Sequence, residues 1–497
     1  MPVSERYILA LDQGTTTSRA IVFNKAGSLI GVSQKPFKQI YPKPGWVEHD
    51  PEEIWDTQLR SAREAIASAQ ITVEQIAAIG ITNQRESIVL WEKASGKPVY
   101  NAIVWQCRRS ADICRELSAL GMAETVKAKT GLVLDPYFSA TKLMWLFREN
   151  SVLKARAEKG ELLFGTIDSW LLYKLTGDHK TDATNASRTL LYNIHDSCWD
   201  EDLLIRFGIP RDVLPEVLPS SGLFGETKQE LFGRRIPITG CAGDQQASLF
   251  GHACFEPGSV KNTYGTGCFS LLNTGATAIK SQNNLLTTIA WRIGNKTTYA
   301  LEGSVFIAGA VVQWLRDELK LLADSAESET LARSVSDSGG VLIVPAFVGL
   351  GAPYWDPEAR GTIVGLTRGT SRAHLVRAAL ESIAFQTRDL IDAMEADYGT
   401  TIGELKADGG AAANSFLMQC QADILGKSVV LPEVMEITAL GAAYLAGLHV
   451  GYWEDARDIA HNWRTRRRFN PSGDEAERAI KLNRWHRAVQ ASRAFGS

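Results

Sequence analysis

Long hydrophobic runs are missing from this chain: no stretch approaches the ~20 apolar residues of a membrane span, so no membrane insertion is expected. A surplus of one charge is missing too. The 53 Lys and Arg face 56 Asp and Glu, and a formal net charge of -3 gives no general field for nucleic acid or an anionic surface. Any anion site must therefore be local. Cysteine is scarce and odd in number, with 7 in 497 residues and no C-x-x-C pair. That pattern argues against a disulfide scaffold or a zinc site and suits reduced thiols in a cytoplasm. The opening Met1-Pro2-Val3-Ser4-Glu5-Arg6 has neither the basic nor the apolar order of a signal peptide and is read as leading directly into a strand. Familiar nucleotide signatures are absent as well. Gly426-Lys427-Ser428 resembles the end of a P-loop, but Gln421 stands where its first glycine belongs, and no G-x-G-x-x-G follows a strand. Ser139-Ala140-Thr141-Lys142 matches S-x-x-K without the companion triplets of that motif.

The chain has the 45% hydrophobic and 22% charged content of an ordinary globular protein, at a length where one core gives way to two domains. Tyr7–Asp12 and Arg19–Phe23 read as strands joined by a Gly/Thr turn, with Leu29–Val32 continuing the meander. Asp50-Pro51-Glu52-Glu53 opens a helix with a cap and a capping-box glutamate, and Thr72-Val73-Glu74-Gln75 repeats that signal. Val99–Trp105 reads as a strand, and Asp168 as the cap of a helix over Ser169–Leu175. Past Phe255-Glu256-Pro257-Gly258 the strand, Gly/Thr turn, strand order returns at Val260–Leu272, which suggests a distant duplication divided into residues 1–253 and 254–497. Ser304–Leu319 and Ser371–Tyr398 are long helical patterns, and Asn414–Leu425 a shorter one. Meanders interleaved with helices give an α/β class with mixed sheets.

Several segments carry chemistry. Asp12-Gln13-Gly14-Thr15-Thr16-Thr17 places a carboxylate, a close-approach glycine and three hydroxyls in one turn, as a nucleotide triphosphate with Mg²⁺ requires, and Arg19 could add charge beside it. A solvated β-turn is the plain alternative. Gly265-Thr266-Gly267 would be an opposing phosphate clamp, and Asp408-Gly409-Gly410 to Asn414 could admit a flat adenosine between a strand and a helix; simple connections account for either equally well. Asp244, in the Gly-rich stretch Gly240–Gln246, is a lone carboxylate at a strand end, where it could take a hydroxyl's proton. Asn83-Gln84-Arg85-Glu86 offers a donor and an acceptor without net charge, which suits a polyol, although a surface ion pair is the commoner fate of such neighbours. Trp105 would ordinarily be core.

Together these segments resemble the FGGY sugar-kinase family, and within it the members that act on glycerol. The likeness runs from Tyr7 to about Trp453 and includes Trp46-Val47-Glu48-His49-Asp50-Pro51, Ile81–Ser87, Leu134–Lys142, Gly243–Ala247, Thr263–Phe269 and Leu301–Ala310. The resemblance implies two ribonuclease H-like domains of the actin/Hsp70 type flanking a nucleotide cleft, and the reaction ATP + glycerol → ADP + sn-glycerol 3-phosphate. Residue by residue it implies a glycerol site of Arg85, Glu86, Trp105, Tyr137, Asp244, Gln245 and Phe269. The nucleotide site it implies is Thr15, Thr16, Thr17, Arg19, Thr266, Gly309, Gln313, Gly410 and Asn414. Asp244 is the expected general base, Asp12 and Asp244 the expected Mg²⁺ residues, and a homodimer or homotetramer the expected assembly. Some relatives are inhibited by fructose 1,6-bisphosphate, or activated by histidine phosphorylation, at the loop before Ile236. Here that loop, Gln229–Arg235, is short, poor in glycine and free of histidine, so both controls are expected to be weak or absent. The competing readings are a kinase for another polyol or ketose, and an ATP-binding switch on the same fold.

Overall fold

A computed structural model describes residues 5–496; the expected lead-in from Met1 to Ser4 lies outside them. Thirteen strands form one sheet. In chain order they are β1 (Tyr7–Gln13), β2 (Thr17–Phe23), β3 (Leu29–Pro36), β4 (Ile76–Asn83), β5 (Ser221–Glu226), β6 (Pro237–Gly243) and β7 (Val260–Tyr264). They continue as β8 (Cys268–Gly275), β9 (Leu286–Ile293), β10 (Lys296–Val305), β11 (Glu404–Asp408), β12 (Ser428–Pro432) and β13 (Thr465–Phe469). The spatial order is β13-β12-β11-β7-β8-β10-β9-β5-β6-β4-β1-β2-β3.

The repeat suspected from sequence is a repeat of topology. In the first half, β1, β2 and β3 form an antiparallel meander, and β4 and β6 run parallel on the other side of β1. The second half repeats this with β7, β8 and β10 as the meander and β11 and β12 as the parallel pair. Each half is the ribonuclease H-like arrangement, and the halves meet where β5 touches β9 through Ser221 and Ile293. The covering helices bury both faces, so β1 and β4 are almost wholly apolar instead of alternating.

Helix α1 (Pro51–Ser68) covers the first meander, α2 (Asp244–Gly251) follows β6, α3 (Gly309–Asp317) follows β10, and α4 (Arg372–Tyr398) backs the second half. Helix α5 (Ser415–Leu425) packs on α4. Helix α6 (Ile437–His449), from the second half, lies on β1, β4 and β6 of the first. It sits so close that a Cβ on Gly80 of β4 would come 2.2 Å from the Ala442 carbonyl oxygen. No helix of the described residues is long and apolar enough to cross a membrane.

Several local expectations need correction. Asp50 does cap α1, accepting from Glu52 N, but Glu53 turns away to accept from Lys38 N, so there is no capping box. The Thr72–Gln75 capping box does form, but around a single 3₁₀ turn, Val73–Gln75, because β4 begins at once. Of Val99–Trp105 only Ala102–Ile103 is strand, since Tyr100 and Asn101 spend their side chains on Glu48 and the chain turns at Val104–Cys107. Asp168 is inside the first turn of the helix Ile167–Thr176, and its carboxylate accepts from Thr166 and Thr181 hydroxyls. The helical pattern from Ser304 is strand as far as Val305, and α3 starts only at Gly309.

Candidate active site

The site is built on the ends of β4 and β6. Asn83, last in β4, exchanges side-chain hydrogen bonds with Asn185, and Gln84 donates its N–H to Gln13 O at 2.7 Å, so the turn carrying Arg85 and Glu86 is tied to β1. Glu86 takes a left-handed backbone, φ 59°, which an ordinary side chain adopts only under constraint. Both residues point inward: Arg85 is 2% and Glu86 1% exposed, so the surface ion-pair reading fails. Their partners are two residues the sequence did not single out. Glu302 on β10 accepts from Arg85 Nη1 at 2.6 Å and Nη2 at 2.9 Å, a bidentate pairing. Arg188 donates to Glu86 at 2.7 Å and to Glu302 at 2.9 Å. Two cations and two anions thus form a buried quartet without net charge. Burial works against the Glu302 charge, but Arg188 and Arg85 outweigh it and hold its carboxyl down at about 2. For Glu86 burial wins over Arg85 and Arg188, and its carboxyl lies above the ordinary range.

Asp244 is the first residue of α2 and hangs over this quartet. Its Oδ1 accepts from Gln245 N at 2.8 Å and lies 3.3 Å from Arg85 Nε, while a third of its side chain stays open to solvent. Burial raises its pKa; Arg85 and Lys261 oppose the rise. Gly243 is required beside it, because a Cβ there would come 2.6 Å from Arg85 Cγ. Three aromatic rings gather beside the quartet, where Arg85 Nη2 lies 3.4 Å from the Tyr137 hydroxyl. Trp105 is half-buried, not core, with its ring edge-on to Tyr137 at 5.5 Å and to Phe269 at 6.4 Å. Its Nε1 donates to Thr15 Oγ1 at 3.1 Å, which joins this wall to the first Gly/Thr turn. Lys142, the lysine of the S-x-x-K coincidence, donates to the carbonyls of Pro136, Tyr137 and Phe138 and fixes the loop that presents Tyr137.

Trp105→Ala is expected to raise KM for a small polyol by about 10- to 100-fold, because it removes one wall of the cage and the Thr15 contact together. Steady-state kinetics with ATP saturating measures this, and an unchanged KM would place the substrate elsewhere.

The remaining sequence-derived residues fall on or beside two Gly/Thr turns and at or near the starts of α3 and α5. Gly14 N donates to Thr17 O at 2.9 Å and closes the first turn, leaving Thr16 exposed and Thr15 and Thr17 half-buried. Asp12 lies opposite Arg19 in the β1–β2 register. Burial lifts its carboxyl to about 7, Arg19 pulls it down, and Asp244 and Glu436 push it up, so Asp12 lies within electrostatic reach of Asp244. Arg19 itself is engaged by Glu436 and Gln34. The second turn, Gly265–Gly267, docks on the start of α3: Gly309 N donates to Gly265 O at 3.0 Å, and a Cβ on Gly309 would come 2.6 Å from that oxygen. Thr266 and Gln313 are exposed beside it. Asn414 caps α5, accepting from Leu417 N and donating to Ser328, so its side chain has a structural duty. Gly410, in the 3₁₀ turn before it, is exposed, and a Cβ there would meet no protein atom within 4 Å.

The chain as a whole is similar to known proteins. The model for the N-terminal domain of the FGGY family of carbohydrate kinases matches residues 7–251, and the model for the C-terminal domain matches residues 260–450. The glycerol kinase of Carboxydothermus hydrogenoformans is 60% identical over 496 residues, covering 99% of each chain. Glycerol kinase 2 of Thermotoga maritima is 58% identical over 489 residues, covering 98% of this chain and 99% of that one. The crystal structure of Plasmodium falciparum glycerol kinase with ADP superposes with a TM-score of 0.92 at 38% identity, covering 98% of both chains. Two repeated halves, a carboxylate at the end of β6 and family models spanning both halves together establish that the chain belongs to the FGGY family of carbohydrate kinases.

Proposed function

We propose that this protein transfers the γ-phosphoryl group of ATP to a terminal hydroxyl of glycerol, giving ADP and sn-glycerol 3-phosphate. The observation that carries this reading is the neutral quartet of Arg85, Glu86, Arg188 and Glu302 under an aromatic cage, with Asp244 at its mouth. A substrate of many hydroxyls and no charge fits such a floor, because guanidinium hydrogens and carboxylate oxygens can serve hydroxyls without leaving an uncompensated ion. The small cage of Trp105, Tyr137 and Phe269 favours a three-carbon skeleton over a bulky sugar. The full-length likeness to two glycerol kinases supports the same substrate.

In the reaction the hydroxyl oxygen bonds to the γ-phosphorus as the bond from that phosphorus to the β–γ bridging oxygen breaks. The hydroxyl proton passes to the Asp244 carboxylate. Arg85 and Glu86 hold the substrate, the Trp105 and Phe269 rings exclude water from one side of it, and the turns at Thr15–Thr17 and Gly265–Gly267 take the phosphates. Asp12 fits a hard cation: it is half-buried near the end of β1, and no hydrogen bond among the described residues engages its carboxylate. Asp12 and Asp244 would hold Mg²⁺, which supplies charge neutralisation at the phosphates when bound. We place the division between the two moving bodies at residues 253 and 254, and read the assembly as a homodimer or homotetramer.

Gly410 tests the nucleotide end of this reading. Since a side chain there meets no protein, Gly410→Val is expected to leave the melting temperature unchanged and raise KM for ATP by about tenfold or more, by occupying the adenosine's place. An unchanged KM would remove Gly410 from the nucleotide site. For the loop Gln229–Arg235, millimolar fructose 1,6-bisphosphate is expected to inhibit weakly or not at all, and a clear inhibition curve would refute that.

A further inference from the structure

Lys261, on β7, lies wholly buried on the cleft floor between the halves, and neither motif nor mechanism has used it. All three of its ammonium hydrogens are accounted for: they go to Gln245 Oε1, Thr263 Oγ1 at 2.8 Å and Phe269 O at 3.3 Å. An ammonium has only donors, so it can face only the oxygen of a neighbouring amide. That settles which way Gln245 points. Its oxygen is turned to Lys261, and its Nε2 meets no acceptor among the described residues, although the side chain is 8% exposed. That leaves an amide nitrogen next in sequence to Asp244 with both hydrogens free of protein partners, so a ligand oxygen can replace water as their acceptor. The other buried amide here is already committed: Gln246 accepts from Arg85 and donates to Thr288 and Ile289.

We propose that Lys261 is a positioning residue for substrate recognition, holding the Gln245 side chain with its amide nitrogen presented as a donor to one hydroxyl oxygen of the polyol. The proposal rests on the glycerol reading above. It also gives β7 a second task. The strand that leads into the second Gly/Thr turn fixes a hydroxyl reader on α2 of the other half, so hydroxyl binding and approach of the phosphate turn share one contact.

The test is discrimination between glycerol and two diols, propane-1,2-diol and propane-1,3-diol, each lacking one hydroxyl. For each enzyme the ratio of kcat/KM for glycerol to that for each diol is measured; the ratio cancels the fraction of folded enzyme. Wild type should prefer glycerol, and Gln245→Ala should lower one of the two ratios by roughly tenfold to a hundredfold. Lys261→Met, of similar length and without donors, should lower the same ratio to a similar extent, with KM for ATP within about twofold of wild type. The double variant should be no worse than either single one. Gln245→Glu keeps a partner for Lys261 but has no N–H to offer, and it should lose the same discrimination. It also serves if Lys261→Met proves insoluble. Full discrimination in Lys261→Met or in Gln245→Glu, or additive losses in the double variant, would overturn the proposal while wild-type activity on glycerol stands. Wild-type failure to phosphorylate glycerol would overturn the functional reading and this inference together.

Discussion

Asp244→Asn is expected to lower kcat by about 10²- to 10⁴-fold, with KM for glycerol and for ATP little changed. The amide has the shape of the carboxylate and can keep the 2.8 Å contact from Gln245 N, but it cannot take a proton from the attacking hydroxyl. The pH profile gives an independent sign. A base must be ionised to work, so activity is lost as pH falls through its pKa. Burial raises that pKa above the ordinary 3.8, against the pull of Arg85 and Lys261, so the acid limb of wild-type kcat/KM should lie at a higher pH than an ordinary aspartate would give. The limb should vanish in the asparagine variant. Near-normal turnover in Asp244→Asn would remove it from the base role.

Glu302→Gln is expected to cost about 3–5 kcal/mol of stability and to raise KM for glycerol, because it leaves the guanidiniums of Arg85 and Arg188 buried without their shared carboxylate. Both are almost or wholly excluded from solvent, so water cannot compensate. The pH dependence follows from the depressed carboxyl. A group held at about 2 in the folded chain, against 4.5 when free, contributes stability that is fully present above 4.5 and is lost as pH falls toward 2. The variant should lack that contribution. Denaturant melts at neutral and acid pH, with and without glycerol, measure both effects. A wild-type midpoint in Glu302→Gln would mean that the quartet does not hold the floor of the site.

The fold was legible in its outline, because the Gly/Thr turns punctuate both meanders and the second echoes the first. The helix after the second meander was misplaced by about a turn and a half. Ser304-Val305 continues the apolar pattern that Gly309 begins, and only the docking of Gly309 on Gly265 decides where strand ends and helix starts. Within the candidate site, Asp244 and Arg85-Glu86 stood out because they sit next to turns, whereas Trp105 read as core from its own pattern and entered only through the family resemblance. Those in strand interiors could not. Lys261 occupies a polar position in Val260-Lys261-Asn262-Thr263-Tyr264, which looks like a half-solvated strand until helices are seen on both faces. Glu302 offered a clue, being a lone charge in the apolar run Tyr299-Ala300-Leu301, and such a charge in a buried strand calls for a partner. Arg188 lies in an irregular stretch with no pattern to mark it, and its carboxylate partners are more than a hundred residues away along the chain.

The most direct test of the account is the rate of ADP release with glycerol, dihydroxyacetone or xylulose as acceptor, and with none. The expected result is acceptor-dependent turnover in which kcat/KM for glycerol exceeds that for xylulose by ~100-fold or more, with sn-glycerol 3-phosphate as the product. ADP release that ignores the acceptor, or xylulose used as well as glycerol, would contradict it.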